Sequence, residues 1–137
     1  MSAPTSLRGY GTSTVDGSLV DVADDLSLFG DGANGGVIST ADELLTTLQA
    51  IVGGHMLPAD LTAQMKEPNR ESYGLGLATY ILSCGTFLGH EGGVNGTASI
   101  AMVSPDASDG VVIALNLRSG EDPRLPELAD QMLCGSP

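Results

Sequence analysis

A chain of 137 residues with 42% apolar composition is long enough for one domain with its own core. Its formal net charge of -12, with five basic residues, excludes nucleic-acid and anionic-membrane partners, which need a positive footprint. No run approaches a membrane span, and the first five residues lack the charge and apolar core of a signal peptide, so the chain is expected to be cytosolic or to have lost a leader.

Residues 1–36 are rich in Gly, Ser, Thr and Asp and read as a loop-rich segment, with a short strand hinted only by the alternation of residues 18–22. Its acids Asp16, Asp21, Asp24, Asp25 and Asp31 miss the spacing of an EF-hand loop and read as a solvated surface. From Ser39 and Thr40 the pattern changes. A hydroxyl cap, Asp42 and Glu43 in the first turn, and Leu44, Leu45, Leu48, Ile51 and Val52 at helical spacing predict a helix that stops at Gly53 and Gly54. A shorter helix is predicted to start at Pro58, carry Leu61 and Met65 inward and end at Pro68.

The hydrophobic period then moves towards two, and strands are predicted over 73–81, 86–90, 97–103 and 111–117. The connections at 83–85 and 104–110 have turn composition, so consecutive strands should pair as an antiparallel meander. Leu125, Leu128, Ala129, Met132 and Leu133 recur at helical spacing, which predicts a closing helix over one face of the sheet. The expected class is α+β: an antiparallel sheet of three to four strands, a C-terminal helix on one face, and preceding helices.

Cys84 and Cys134 are too far apart for a Cys-x-x-Cys redox or zinc motif, and neither has a ligand partner at metal spacing. No metal or other cofactor is expected. Spacing alone leaves two readings open. If the cysteines pair, closing the loop would stabilise the fold by about 4 kcal/mol in the chain-entropy model and would imply an exported protein. If they are separate buried thiols, the protein fits a cytoplasmic setting.

The segment Gly89-His90-Glu91-Gly92-Gly93-Val94-Asn95-Gly96 places a histidine at the mouth of a glycine-rich strand. Glycine weakens a strand, so such a run marks a bulge or the close approach of a ligand or another backbone. A nucleophile is missing: Lys66 is the only lysine and Ala63 stands three before it, so no Ser-x-x-Lys motif exists. None of Tyr10, Tyr73 and Tyr80 has asparagine two places on. Ser39, Ser83 and Ser99 have only His55 or His90 as a base, with no orienting acid. His55 reads as a surface-loop residue.

Val37-Ile38-Ser39-Thr40 before a helix, Tyr73-Gly74-Leu75-Gly76-Leu77, and the 89–96 segment, in that order, resemble the C-terminal portion of the serine beta-lactamase and D-alanyl-D-alanine carboxypeptidase superfamily, from about Leu28 to Cys134. The resemblance implies a partial beta-lactamase-like fold, with residues 37–137 as the C-terminal part of one incomplete domain. It implies that His90-Glu91-Gly92 is the third active-site motif. His90 would assist proton movement and bind substrate, Glu91 and Gly92 would line the substrate strand, and the Gly93 N–H would supply half of an oxyanion hole. Glu91 stands where the family has Thr or Ser, and Ala78 where the carboxypeptidase branch has arginine, which leaves room for a different acyl substrate. In the secreted actinobacterial branch a Leu-Ser-Cys segment is linked to a C-terminal cysteine, so the resemblance also implies a Cys84–Cys134 disulfide and a secreted or cell-envelope setting.

Two functions follow. One is part of a serine hydrolase, inactive alone, whose serine lies on a missing N-terminal portion that would be its partner. The other is a non-catalytic module that binds a peptide or beta-lactam-like ligand or associates with itself through exposed strand edges.

Overall fold

The computed structural model describes residues 7–24, 35, 37–69, 71–116, 122 and 124–135. The expectations for residues 1–5, for Asp25 and Asp31, and for residue 117 at the end of the last strand lie outside the described residues. In chain order the elements are β1 (Tyr10–Thr12), β2 (Leu19–Asp21), α1 (Ala41–Val52), α2 (Ala59–Lys66), β3 (Ala78–Leu82), β4 (Gly85–Val94), β5 (Thr97–Val103), β6 (Gly110–Leu115) and α3 (Arg124–Cys134). The fold is α+β, with a four-stranded antiparallel sheet in the order β3-β4-β5-β6 and a two-stranded sheet β1-β2. Sequential order across the larger sheet follows from the short turns between its strands. Contacts cluster into two units: Met1–Ile38, Glu91–Ser99 and Ala114–Asp122 in one, and Ser39–His90, Ile100–Ile113 and Pro123–Pro137 in the other.

In the second unit, Thr40 caps α1 as its composition predicts. Its hydroxyl accepts from the Glu43 N–H at 3.2 Å while Glu43 Oε2 accepts from the Thr40 N–H at 3.0 Å, a reciprocal capping box. The helix buries Leu48 and Val52 against Leu77, Leu88, Ala101 and Val103, with Leu45 and Met65 partly buried around them. Each such Leu or Val side chain contributes about 1.5–3 kcal/mol of apolar transfer. Leu88, Ala101 and Val103 point to the α1 side of their strands. Alternation sends Phe87, Ile100 and Met102 the other way, and these too are buried.

Three predicted side-chain directions are corrected. In α2, Pro58 is the cap rather than the first helical residue, and the inward position is Thr62, whose hydroxyl donates to the Leu57 and Pro58 carbonyls at 3.3 and 3.2 Å. Leu61 points outward, while Met65 packs on the core. In α3, Leu125 and Ala129 are fully buried, whereas Leu128 and Met132, on the adjacent ridge, are exposed. Helical spacing fixed the ridges, but only one is covered by this chain.

The 73–81 strand begins five residues late. Tyr73–Leu77 instead folds into a turn, with the Gly74 N–H donating to the Leu77 carbonyl at 2.7 Å and Gly76 at φ 78°. Conversely β4 runs through the glycines to Val94 instead of ending at His90. β3 and β4 pair with Leu82 opposite Gly85, which leaves Ser83 and Cys84 as the turn. Cys84 is joined to Cys134 of α3 by a disulfide across a sequence separation of 50, with a Cα–Cα distance of 5.3 Å. Closing that loop is worth about 4 kcal/mol in the chain-entropy model. An intact disulfide fits an oxidising compartment. No helix among the described residues is long and apolar enough to cross a membrane.

In the first unit, β1 pairs with the anticipated β2, Tyr10 opposite Asp21. β1 itself has no alternation to announce it. Its backbone is held from outside the hairpin: the Tyr10 N–H donates to the Asn116 carbonyl at 3.0 Å and to the Gly96 carbonyl at 3.3 Å. Arg8 pairs with Asp21 at 2.6 Å and Asp24 at 3.0 Å on the exposed side.

Candidate functional site

The sequence expectation for the glycine run is met differently at Gly89, Gly92 and Gly96. A Cβ at Gly89 would collide with the Ala101 carbonyl and sit 2.7 Å from the Met102 Cα, so this glycine serves the sheet's own backbone packing. Gly96, at φ 92°, ends the β4–β5 turn, and a Cβ there would meet Val22 and the backbone of Gly9 and Tyr10. At Gly92 the nearest obstacle is only the Ser99 hydroxyl, 2.9 Å from where a Cβ would stand. At Gly92, therefore, neither φ nor a backbone neighbour among the described residues calls for glycine.

His90 sits near the middle of β4, exposed, immediately after the buried Leu88 and Gly89. Its Nε2 is 2.7 Å from the Tyr73 hydroxyl, and the two rings meet edge to face with centroids 5.6 Å apart and an interplanar angle of 79°. An O–H···N contact of that length is a full hydrogen bond, and the T-shaped arrangement adds an aromatic contact. Tyr73 belongs to the Tyr-Gly-Leu-Gly-Leu motif, so two of the three motifs behind the resemblance meet through their polar side chains. Sequence reading gave Tyr73 no role. The only signal was its place at the head of a glycine-spaced motif, with the partner 17 residues away.

Glu91, Gly92 and Gly93 follow His90 along the strand, Glu91 half-buried and both glycines exposed. Strand alternation puts Gly92 on the face opposite to Glu91 and Gly93. His55 is exposed in the turn after α1, in keeping with a surface-loop residue. Among the described residues no group of three His, Cys, Asp or Glu side chains is placed to hold a metal ion.

A shallow surface depression of about 530 Å³ lies beside the disulfide, lined by Thr86, Phe87, Ser104, Asp106, Asp109 and Leu133 among others. Neither Tyr73 nor His90 lines it. Its acids are engaged locally: Asp106 accepts from the Ser104 hydroxyl at 2.6 Å and from the Ser108 N–H and hydroxyl, which hold its carboxyl below the usual aspartate range. The depression thus reads as the outer face of the β5–β6 loop.

No model of a known protein family matches the sequence. Solved structures do resemble the fold. A D-stereospecific amidohydrolase from Streptomyces sp. superposes with a TM-score of 0.78 and 26% identity over 100% of this chain and 42% of its own. A D-amino acid amidase from Ochrobactrum anthropi SV3, solved with L-phenylalanine amide, gives a TM-score of 0.70 and 24% identity over 91% of this chain and 39% of its own. The chain spans about two fifths of the length of these structures. The likeness to the Streptomyces amidohydrolase, at 26% identity, supports the superfamily indicated by the motifs, and the likeness to the Ochrobactrum amidase agrees with it in fold. The likeness to the Streptomyces enzyme also takes in the N-terminal residues that the motifs had left out.

Proposed function

We propose that this chain forms the C-terminal part of a serine amidohydrolase domain and supplies one wall of its substrate cleft, acting on amides or peptides of D-amino acids. The observation that carries this reading is the hydrogen bond between Tyr73 and His90, which joins two motifs shared in order with the superfamily. The likeness in fold to a D-stereospecific amidohydrolase and to a D-amino acid amidase supports this choice of substrate class. His90 contacts the substrate and assists proton movement, Glu91 and Gly92 line its path, and the Gly93 N–H helps stabilise the oxyanion. The attacking serine, its lysine and the tyrosine of the second motif come from polypeptide other than this chain, so the chain alone does not cleave. The disulfide supports a secreted or cell-envelope setting.

Reading the coding frame upstream of residue 1 tests this. In-frame Ser-x-x-Lys and Tyr-x-Asn motifs are expected, and a frame closed by a stop codon without them would contradict the proposal.

The alternative, a self-associating or peptide-binding module, is favoured by one feature. β3 is an edge strand of its sheet, with Ile81 78% exposed, and an open apolar edge invites strand addition or a dimer. In a complete domain the same edge and the exposed α3 ridge would be covered by the missing portion.

A further inference from the structure

We propose that Tyr73, itself clamped by Asn69, is a positioning residue that holds His90 in the Nδ1–H tautomer, with the Nε2 lone pair committed to the phenol. The proposal rests on the reading of His90 as a site residue and says which nitrogen of that residue carries the proton.

The direction of the 2.7 Å hydrogen bond follows from acid–base strength. A phenol is a far stronger acid than a neutral imidazole N–H, and an imidazole nitrogen is a far better acceptor than a phenol oxygen. The arrangement O–H···Nε2 is therefore preferred to Nε2–H···O. Once Nε2 accepts, the single proton of the neutral ring resides on Nδ1. The edge-to-face contact limits ring rotation and so keeps Nε2 on the hydroxyl.

Tyr73 has little freedom of its own. Asn69 Oδ1 accepts from the Glu71 N–H at 2.8 Å and from the Tyr73 N–H at 3.3 Å, while the Asn69 N–H donates to the Tyr73 carbonyl at 2.9 Å. Ser72, between them, sits at φ 60°, in the left-handed region that a serine adopts only at a cost. On the other side a Cβ at Gly74 would collide with the Met65 carbonyl, and the Leu75 N–H donates to that same carbonyl at 3.1 Å. The backbone around Tyr73 is fixed on both sides, yet its ring is exposed rather than spent on the core. A rigid loop that ends in an exposed phenol aimed at an imidazole is built for orientation. Nε2 can take a proton from elsewhere only after Tyr73 has let go.

The test is the ¹⁵N spectrum of the imidazoles in the labelled chain, recorded where both rings are neutral, with signals assigned through His90→Gln and His55 as internal reference. The expected result is His90 Nε2 at an unprotonated shift and Nδ1 at a protonated one. In Tyr73→Phe both signals move towards the tautomer average. Asn69→Ala, which removes the side-chain acceptor of the Glu71 and Tyr73 N–H groups, moves them the same way by less. A protonated Nε2 in the wild-type chain, or unchanged signals in a folded Tyr73→Phe chain, would overturn the proposal. The wild-type spectrum alone decides the tautomer, so a variant that fails to fold does not rescue the idea. Catalysis does not enter the measurement, so the expected tautomer together with a closed upstream frame would count against the hydrolase reading alone.

Discussion

Asp130 Oδ1 accepts from both the N–H of Ser83, at 2.7 Å, and its hydroxyl, at 2.9 Å, so one carboxylate oxygen of α3 gathers the polar groups of the β3–β4 turn. The next residue of that turn, Cys84, is covalently tied to the end of the same helix. A charge-assisted pair and a disulfide thus dock α3 at one point. Asp130→Ala should cost about 1 kcal/mol, below the roughly 1.5–3 kcal/mol of buried hydrogen bonds to a charged group because Ser83 is exposed. Cys84→Ser with Cys134→Ser should cost about 2–4 kcal/mol. Urea unfolding measures both. Intact mass without reductant should show the pair oxidised, and two free thiols in the folded protein would remove the covalent half of this account.

Gly89 and Gly92 of β4 should respond unequally to alanine. Gly89→Ala forces a methyl into the Ala101 carbonyl and should cost about 3 kcal/mol or prevent folding. Gly92→Ala meets only the rotatable Ser99 hydroxyl and should cost under about 1 kcal/mol. Thermal melts of the two variants separate them. Equal losses would show that Gly92, too, is required by the fold rather than by a ligand.

The α1 cap makes a pH-dependent contribution of known sign. Hydrogen bonds from the Thr40 N–H and hydroxyl hold the Glu43 carboxyl below its ordinary value of 4.5. A depressed folded-state pKa contributes stability that is fully present above the unfolded value and is lost as pH falls through the folded one. Glu43→Gln should therefore flatten the acid limb of the stability curve below about pH 4.5. Thr40→Ala should cost about 1 kcal/mol at neutral pH through the lost cap. Urea midpoints across the acid range check both, and an unchanged acid limb in Glu43→Gln would contradict the capping argument.

A labelled penicillin should leave the mass of the isolated chain unchanged, because no serine in it has a lysine three residues on. A stoichiometric adduct abolished by replacing one serine would reveal a nucleophile that the spacing does not show.

Legibility in the sequence followed the locality of the interaction. β5 was readable to the residue because its alternation is local, and α1 because its cap and stop are written in Thr40, Glu43 and Gly53. The outward turn of Leu61, Leu128 and Met132 was not, since helical spacing gives a stripe without saying how much of it a neighbour covers. β1 escaped because it carries no alternation of its own and its Tyr10 N–H is held by Gly96 and Asn116, far along the chain. In the candidate site, His90 announced itself through its glycines. Tyr73 did not, because its role depends on a turn where alternation predicted a strand.

Hydrolysis of D-amino acid amides offers the most direct test, measured side by side on this chain, on this chain joined to the polypeptide encoded upstream, and on the joined form carrying His90→Ala. The account predicts background rates for the first, D-selective amide release by the second, and a loss of about 10²-fold or more in the third, the scale of one acid–base group. Hydrolysis by the chain alone, or a joined form indifferent to His90→Ala, would contradict it.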